Sequence, residues 1–166
     1  YGGGFRSCRP YFDNKVAYFR GVMKERFKLV PSSYLILIKR GKILLARRCN
    51  TGFEDGKYSL IAGHIEENET FKEALAREAF EESGVRISID DMDVVHVMHR
   101  KSSSDIRVDV FIQQYKIGVT PRIMEPYKCD DMKWFDLDNL PENTIPYIRQ
   151  AIEMIRNKVF YSEQGW

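Results

Sequence analysis

The sequence predicts an α+β fold in which helices cover a β-sheet, an α/β/α sandwich, and three observations predict it. Tyr34-Leu-Ile-Leu-Ile38 is an unbroken apolar run, the mark of a strand covered on both faces. Ile106, Val108, Val110 and Ile112 alternate with Arg107 and Asp109, the period of a strand whose two faces differ. Two segments, about 71–83 and 145–158, carry apolar residues at helical spacing. Strands and amphipathic helices in one chain bury their apolar faces by layering.

Residues 1–22 read unlike the rest. They open on Gly2-Gly3-Gly4, contain Pro10 and scatter aromatics; no Gly-Lys-Ser/Thr follows the glycines, so they form no phosphate-binding P-loop. Val16, Phe19, Val22 and Met23 make one short apolar stripe, and Met23 is a natural start for a domain. The expected division is an N-terminal extension, 1–22, and one domain, 23–166. Within the domain, Arg40-Gly41-Lys42 reads as a turn after the first strand, and 43–48 as the returning strand. Gly52, Asp55 and Gly56 make 50–57 a loop, and 58–62 is a short strand. After the first helix, 94–100 and 106–117 form a hairpin around Ser102-Ser-Ser-Asp105, 118–131 is a loop and 132–136 a strand. The last helix aligns Ile145, Ile148, Ile152, Ile155 and Val159 on one stripe, with Pro146 tolerated in its first turn.

Composition narrows the partners. A chain of 166 residues is one domain long and needs no metal or disulfide to complete its core. The 26 basic and 24 acidic residues nearly cancel, which argues for no nucleic-acid polymer and no anionic membrane surface as partner. No apolar run approaches the roughly 20 residues of a membrane span. Three cysteines, Cys8, Cys49 and Cys129, form no CxxC pair, so a reducing cytoplasm with thiols as packing residues is the simplest compartment.

The chemistry concentrates on the helix from residue 71. Thr70 with Glu73 makes a capping box, and Gly84 stands where a terminating glycine belongs. Between them Glu78, Glu81 and Glu82 lie three and four apart, which places three carboxylates on neighbouring rows of one helical side. Such like-charged pairs cost a few tenths of a kcal/mol each in a bare helix. A hard divalent cation reverses that sign, because Mg²⁺ takes oxygen ligands and bridges phosphate oxygens. The bland alternative is a solvated acidic face, the usual fate of a lone ExxEE. Phe71, Leu75 and Ala79 form the stripe that docks the helix on the sheet.

The spacing is more constrained than that alternative requires. Gly63, five residues, Glu69, seven residues, then Arg77-Glu78-Ala79-Phe80-Glu81-Glu82-Ser83-Gly84-Val85 resembles the complete signature of the MutT/Nudix hydrolases. Ala79 departs mildly, since the family prefers a bulkier aliphatic there. The resemblance extends over about 27–158, through 50–66 and Trp134-Phe-Asp-Leu-Asp-Asn-Leu-Pro141, which are similar to bacterial MutT-like members. It implies the Nudix fold, a mixed sheet between helices, and hydrolysis of a nucleoside diphosphate derivative with Mg²⁺ or Mn²⁺. Carried over by position, Glu78 and Glu82 match the main metal ligands, Glu81 a ligand or water-activating carboxylate, and the Ala62 carbonyl a backbone ligand. Glu69 and Arg77 match a supporting ion pair. Gly63 is expected to let the backbone turn sharply beside the metal, and homodimers are common in the family.

Other positions keep two readings. Arg47 and Arg48 end a strand near the expected site; alternation sends them to opposite faces, and either contacts phosphate, Arg48 being the better match, or ends a solvated strand. Glu125, Asp130 and Asp131 precede Trp134 where relatives place a further carboxylate; Glu125 is the choice, against a surface loop acid. Asp109 and Phe111 line a base pocket or simply a strand face, and Phe53 and Tyr58 stack on a base or in the core. His64 follows Gly63 without a second histidine at ligand spacing and reads as a group supporting the site from behind or as an exposed one, while His96 and His99, on a strand, read as packing or surface groups. Three functions follow: a hydrolase of an oxidised or otherwise non-standard nucleoside triphosphate, with ADP-ribose or a nucleotide sugar as second substrate class; a non-catalytic nucleotide-binding regulator, which would be expected to lose signature carboxylates; and a related isoprenoid diphosphate isomerase, for which Cys49 and Cys129 are too little.

Overall fold

The computed structural model describes residues 27–116 and 118–166. The expected extension 1–22 and the start at Met23 lie outside them; the strand expected to reach Ile117 ends at Gln114, and residue 117 itself lies outside them. In chain order the elements are β1 (Val30–Lys39), β2 (Lys42–Arg48), β3 (Tyr58–Ser59), β4 (Ala62–His64), α1 (Phe71–Ser83), β5 (Met92–Lys101), β6 (Ile106–Gln114), β7 (Cys129–Asp136), α2 (Pro146–Arg156) and β8 (Tyr161–Gln164). The strands run in the order β3-β2-β1-β6-β5-β8, with β4 also on β1 and β7 also on β2. β1 and β6 pair in parallel, as do β5 and β8, and the other pairs are antiparallel, so the sheet is mixed.

Alternation along the central strands creates two cores. On β6, Val110 and Ile112 join Leu35 and Leu37 beneath Leu75 and Ala79 of α1. Phe111 points the other way and joins Tyr34, Ile36 and Met98 beneath Ile148 and Ile152 of α2. The helices therefore cover opposite faces, as the sandwich expectation requires. Among the described residues no helix is long and apolar enough to cross a membrane.

Three expectations shift. The strand expected over 58–62 is two pieces, because Leu60 and Ile61 are spent crossing between partners: β3 pairs with β2, and β4 pairs with β1. The stripe expected to run to Val159 stops with α2 at Arg156; Lys158 takes a left-handed φ of 58°, and the chain turns into β8, leaving Val159 38% exposed. β8 has little apolar periodicity, since its Tyr161 and Glu163 face solvent, so its pairing with β5 was illegible.

Candidate functional site

Local rules place the acidic helix. Thr70 Oγ1 accepts from Glu73 N at 3.3 Å while Glu73 Oε2 accepts from Thr70 N at 2.8 Å, fixing the start of α1. Gly84 ends it at a left-handed φ of 68°, which glycine adopts without strain. The last turn still has carbonyls without helical partners. Arg122 N donates to Ser83 O at 3.1 Å and Met124 N to Glu82 O at 3.1 Å. These bonds strap the loop after β6 to the helix end and so deliver Glu125 beside Glu82.

The three acids of the helix part company. Glu78 and Glu82 line a cavity of about 740 Å³ together with Ala62, Gly63 and Glu125. Glu82 is partly buried, its Oε2 accepting from Ala62 N at 3.3 Å. Burial, then the Glu78 and Glu125 charges, push its carboxyl up to about 7. Burial likewise raises Glu78, with Arg77 opposing. Glu81 is half exposed and does not line the cavity; it meets Arg77 Nη1 at 3.3 Å. In Glu125 burial is outweighed by hydrogen bonds from Tyr127 at 2.8 Å and Lys128 at 3.0 Å, so its carboxyl sits below the ordinary range.

Arg77 organises this side. Its Nη2 and Nε donate to the two oxygens of Glu69 at 2.8 and 3.2 Å, its Nη1 to Glu78 Oε1 at 2.7 Å, and Nη2 also to His64 O at 3.3 Å. The Glu69 bonds hold the guanidinium charged far above its ordinary range and draw Glu69 below its own. Because Glu78 and Glu81 are turned onto Arg77, no three acidic, histidine or cysteine side chains among the described residues converge as a metal cage. The donor chemistry nevertheless fits a hard divalent cation: the candidates are oxygens, and Glu82 carries a charge its surroundings disfavour.

Gly63 serves closeness rather than a sharp turn. Its φ lies outside the left-handed region, which removes the expected reason, but a Cβ there would meet Glu78 Oε1 at 2.0 Å. Since the obstacle is a side chain and not backbone, Gly63→Ala should fold with a melting temperature within a few degrees of wild type while displacing Glu78. Turnover is expected to fall by about tenfold or more, measured as kcat beside a thermal melt; unchanged kcat would remove Glu78 from the chemistry.

The remaining candidates fall in various places. Arg47 and Arg48 both line the cavity, against the expected opposite faces, because the β2–β7 register shifts between them. Arg47 pairs with Asp130 at 2.7 Å, and Arg48 donates to Phe53 O and Thr51 Oγ1. Phe53 lines the cavity, 46% exposed, under the Arg48 guanidinium. Tyr58 is core, edge-on to Phe135 and bonded to Asp131, and Phe111 is core, stacked on Tyr34. Asp109 does not line the cavity: it is fully buried beneath it, bonded to Arg100 at 2.6 Å. His96 is buried, its ring nitrogens on Val159 O and Ser162 Oγ, and burial lowers its pKa. His99 packs on Trp166, and His64 meets Arg107 at 2.7 Å. Sequence reasoning missed Ser32, Tyr34, Arg100, Lys128 and Tyr147, all of which line the cavity. Arg100 had a signal: a four-residue hairpin loop pairs it with Arg107 and puts Asp109 on the same face, one diagonal step away.

Comparison with known proteins agrees with this geometry. The family model described as NUDIX domain matches residues 29–155. The chain is 31% identical over 139 residues to a protein named NAD-capped RNA hydrolase NudC from Chromobacterium violaceum, covering 77% of this chain and 48% of that one. It is 27% identical to a zebrafish (Danio rerio) protein named oxidized purine nucleoside triphosphate hydrolase, covering 64% of this chain and 66% of that one. The chain thus spans about half the length of the NudC relatives it matches. The fold superposes with a TM-score of 0.70 on a MutT NUDIX hydrolase from Burkholderia pseudomallei at 24% identity, covering 76% of this chain and 97% of that one. With a family model spanning most of its length and the signature acids gathered on one helix beside the cavity, this chain belongs to the Nudix hydrolase family.

Proposed function

We propose that the protein is a Mg²⁺- or Mn²⁺-dependent pyrophosphohydrolase of a nucleoside triphosphate, an oxidised or otherwise non-standard one being the leading class. The observation that carries this reading is one cavity lined at once by Glu78, Glu82 and Glu125, by the cations Arg48 and Lys128, and by aromatic groups. Its volume suits a nucleotide-sized ligand. The acids and cations suit a polyphosphate with its metal, and Phe53, Tyr34 and Tyr147 suit the nucleoside. Free thiols at Cys49 and Cys129 accord with a reducing cytoplasm, where we place the protein.

In this reading Glu78, Glu82 and the Ala62 carbonyl hold the cation, with Glu81 as a supporting carboxylate. Once bound, the metal neutralises phosphoryl charge and lowers the pKa of a water. Glu69 retains Arg77 when Glu78 leaves it, so the guanidinium stays at the site's edge and keeps the loop after β4 on the helix. Arg48 and Lys128 bind the phosphate chain, with Arg47 beside them. Glu125, delivered by the strapped loop, takes the proton of the attacking water. Phe53 flanks the nucleoside, and Asp109 acts through Arg100. The test is phosphate or pyrophosphate release from a nucleotide panel: Mg²⁺ and Mn²⁺ should support turnover, Ca²⁺ poorly because it prefers a larger, looser shell, and excess chelator should abolish it. Full turnover in chelator would end the metal assignment.

The relative named NAD-capped RNA hydrolase favours a second reading, a substrate whose pyrophosphate bridges two moieties, such as a dinucleotide, ADP-ribose, a nucleotide sugar or a nucleotide-capped RNA. Products separate the two. A triphosphate yields a monophosphate and pyrophosphate, whereas a bridged pyrophosphate yields two monophosphates.

A further inference from the structure

Three buried polar atoms on cavity-lining residues make no hydrogen bond among the described residues; Arg107 Nε is ion-paired with Asp105 at 3.0 Å, which leaves two, Arg100 Nη2 and Ser32 Oγ, with no partner. Arg100 and Ser32 are both 3% exposed. Buried polar groups in folded proteins are nearly always paired, so unpaired ones lining a cavity mark where a ligand's polar edge arrives. Arg100 stands on β5 and Ala62 on β4. Three strand spacings, β4 to β1 to β6 to β5, separate them. At about 4.8 Å per strand that is roughly 14 Å across the sheet, and Arg100 stands a further roughly 13 Å along β5 from His96, the residue level with Ala62, so the two mark opposite ends of the cavity, room for a phosphate chain at one and a base at the other.

The guanidinium is built into place. Its Nε donates to Asp109 Oδ2 at 2.6 Å, and its carbon lies 3.9 Å from the centre of the Tyr147 ring. Tyr147 is fixed in turn by a 3.4 Å hydroxyl contact with Tyr34. A donor held this way loses little freedom on binding. Asp109 already balances the Arg100 charge, so this end of the cavity matches a neutral acceptor better than a further phosphate. Arg48, whose hydrogen bonds go to neutral oxygens, is better suited to an anion.

We infer that Arg100 is a specificity-determining residue that reads the base: it donates to the carbonyl of a 6-oxopurine and disfavours the 6-amino counterpart. Asp109 and Tyr147 are its positioning residues, and Ser32 supplies a second hydroxyl contact. An amino group at the same place would set N–H against N–H and leave the buried donor unpaired, the situation in which hydrogen-bonding sites discriminate most strongly. The inference rests on the nucleotide reading above.

The test compares inosine and adenosine 5′-triphosphates, carbonyl against amino at C6, by kcat/KM with Mg²⁺ and by equilibrium binding. Wild type should prefer the inosine nucleotide by at least about tenfold in both. Arg100→Gln alone would leave Asp109 buried and unpaired, so the decisive variant is Arg100→Gln with Asp109→Asn, expected to bring the ratio within about threefold. If that pair fails to fold, Arg100→Lys keeps the charge but removes Nη2, and should lower the ratio likewise. Hydrolysis of both nucleotides at equal efficiency by wild type overturns the inference and leaves the nucleotide reading standing. Neither binding nor hydrolysis of either overturns both. A preference that survives undiminished in the folded variant assigns the discrimination to another group and overturns the role of Arg100.

Discussion

Glu82→Gln is expected to cut turnover by roughly 100-fold or more, because it removes a proposed metal ligand and with it transition-state charge stabilisation. Without metal the same change should stabilise the protein, and the effect should depend on pH. Burial, Glu78 and Glu125 raise the Glu82 carboxyl from 4.5 to about 7. A carboxyl that is harder to ionise folded than unfolded removes stability as pH rises from about 4.5 through about 7. Glutamine does not titrate, so it escapes that loss. The apo variant should match wild type near pH 4 and exceed it by about 1–3 kcal/mol at pH 8. Glutamine can still accept the Ala62 N–H, and its helix propensity matches glutamate's.

Metal should reverse the order. Wild type gains about 2.7 kcal/mol at a hundredfold excess of Mg²⁺ over its dissociation constant, and the variant much less. Exposed Glu67 provides the control, and Glu67→Gln should change neither quantity. Thermal melts at pH 4.5 and 8, with and without Mg²⁺, beside kcat, make the measurement. A variant that melts and turns over like wild type at both pH values would return the acidic face to plain solvated surface.

Much of this was legible because it is local. The capping box, the terminating glycine and the three-four spacing of Glu78, Glu81 and Glu82 are written within 15 residues, and the helix forms where they say. What the chain hid is long-range. Glu125 reaches Glu82 only because Arg122 and Met124 cap carbonyls 39 and 42 residues earlier in the sequence, those of Ser83 and Glu82, a docking with no periodic signal. Arg47 and Arg48 share a cavity because of a register shift, and a strict alternation rule fails wherever a strand bulges. Asp109 read equally as a base-pocket or a strand-face residue and Arg100 drew no reading, although their pairing follows from the hairpin register. β8 is recruited by an unpaired edge of β5 rather than by its own pattern.

Arg77→Lys is expected to lose both stability and activity, although it preserves charge. Arg77 divides its donors among two Glu69 oxygens, Glu78, Glu81 and the His64 carbonyl, and no single lysine ammonium can span that fan. With side chains only 26% and 16% exposed, Arg77 and Glu69 form a partly buried, charge-assisted bidentate pair, and losing its second arm should cost about 1–3 kcal/mol. The loop after β4 would then loosen, because Glu69 and the His64 carbonyl are its anchors to α1. Ala62 and Gly63 lie in β4, the short strand that leads into that loop, so the carbonyl and the close approach to Glu78 should lose their definition with it. Turnover should fall by about 10- to 100-fold, the usual cost of disturbing residues that orient metal ligands. The apparent Mg²⁺ affinity should fall with kcat, and this separates loss of positioning from simple destabilisation, which added Mg²⁺ would not reveal below the melting temperature. Wild-type Mg²⁺ dependence in a variant that merely melts earlier would make the Arg77–Glu69 pair a fold brace with no bearing on the site.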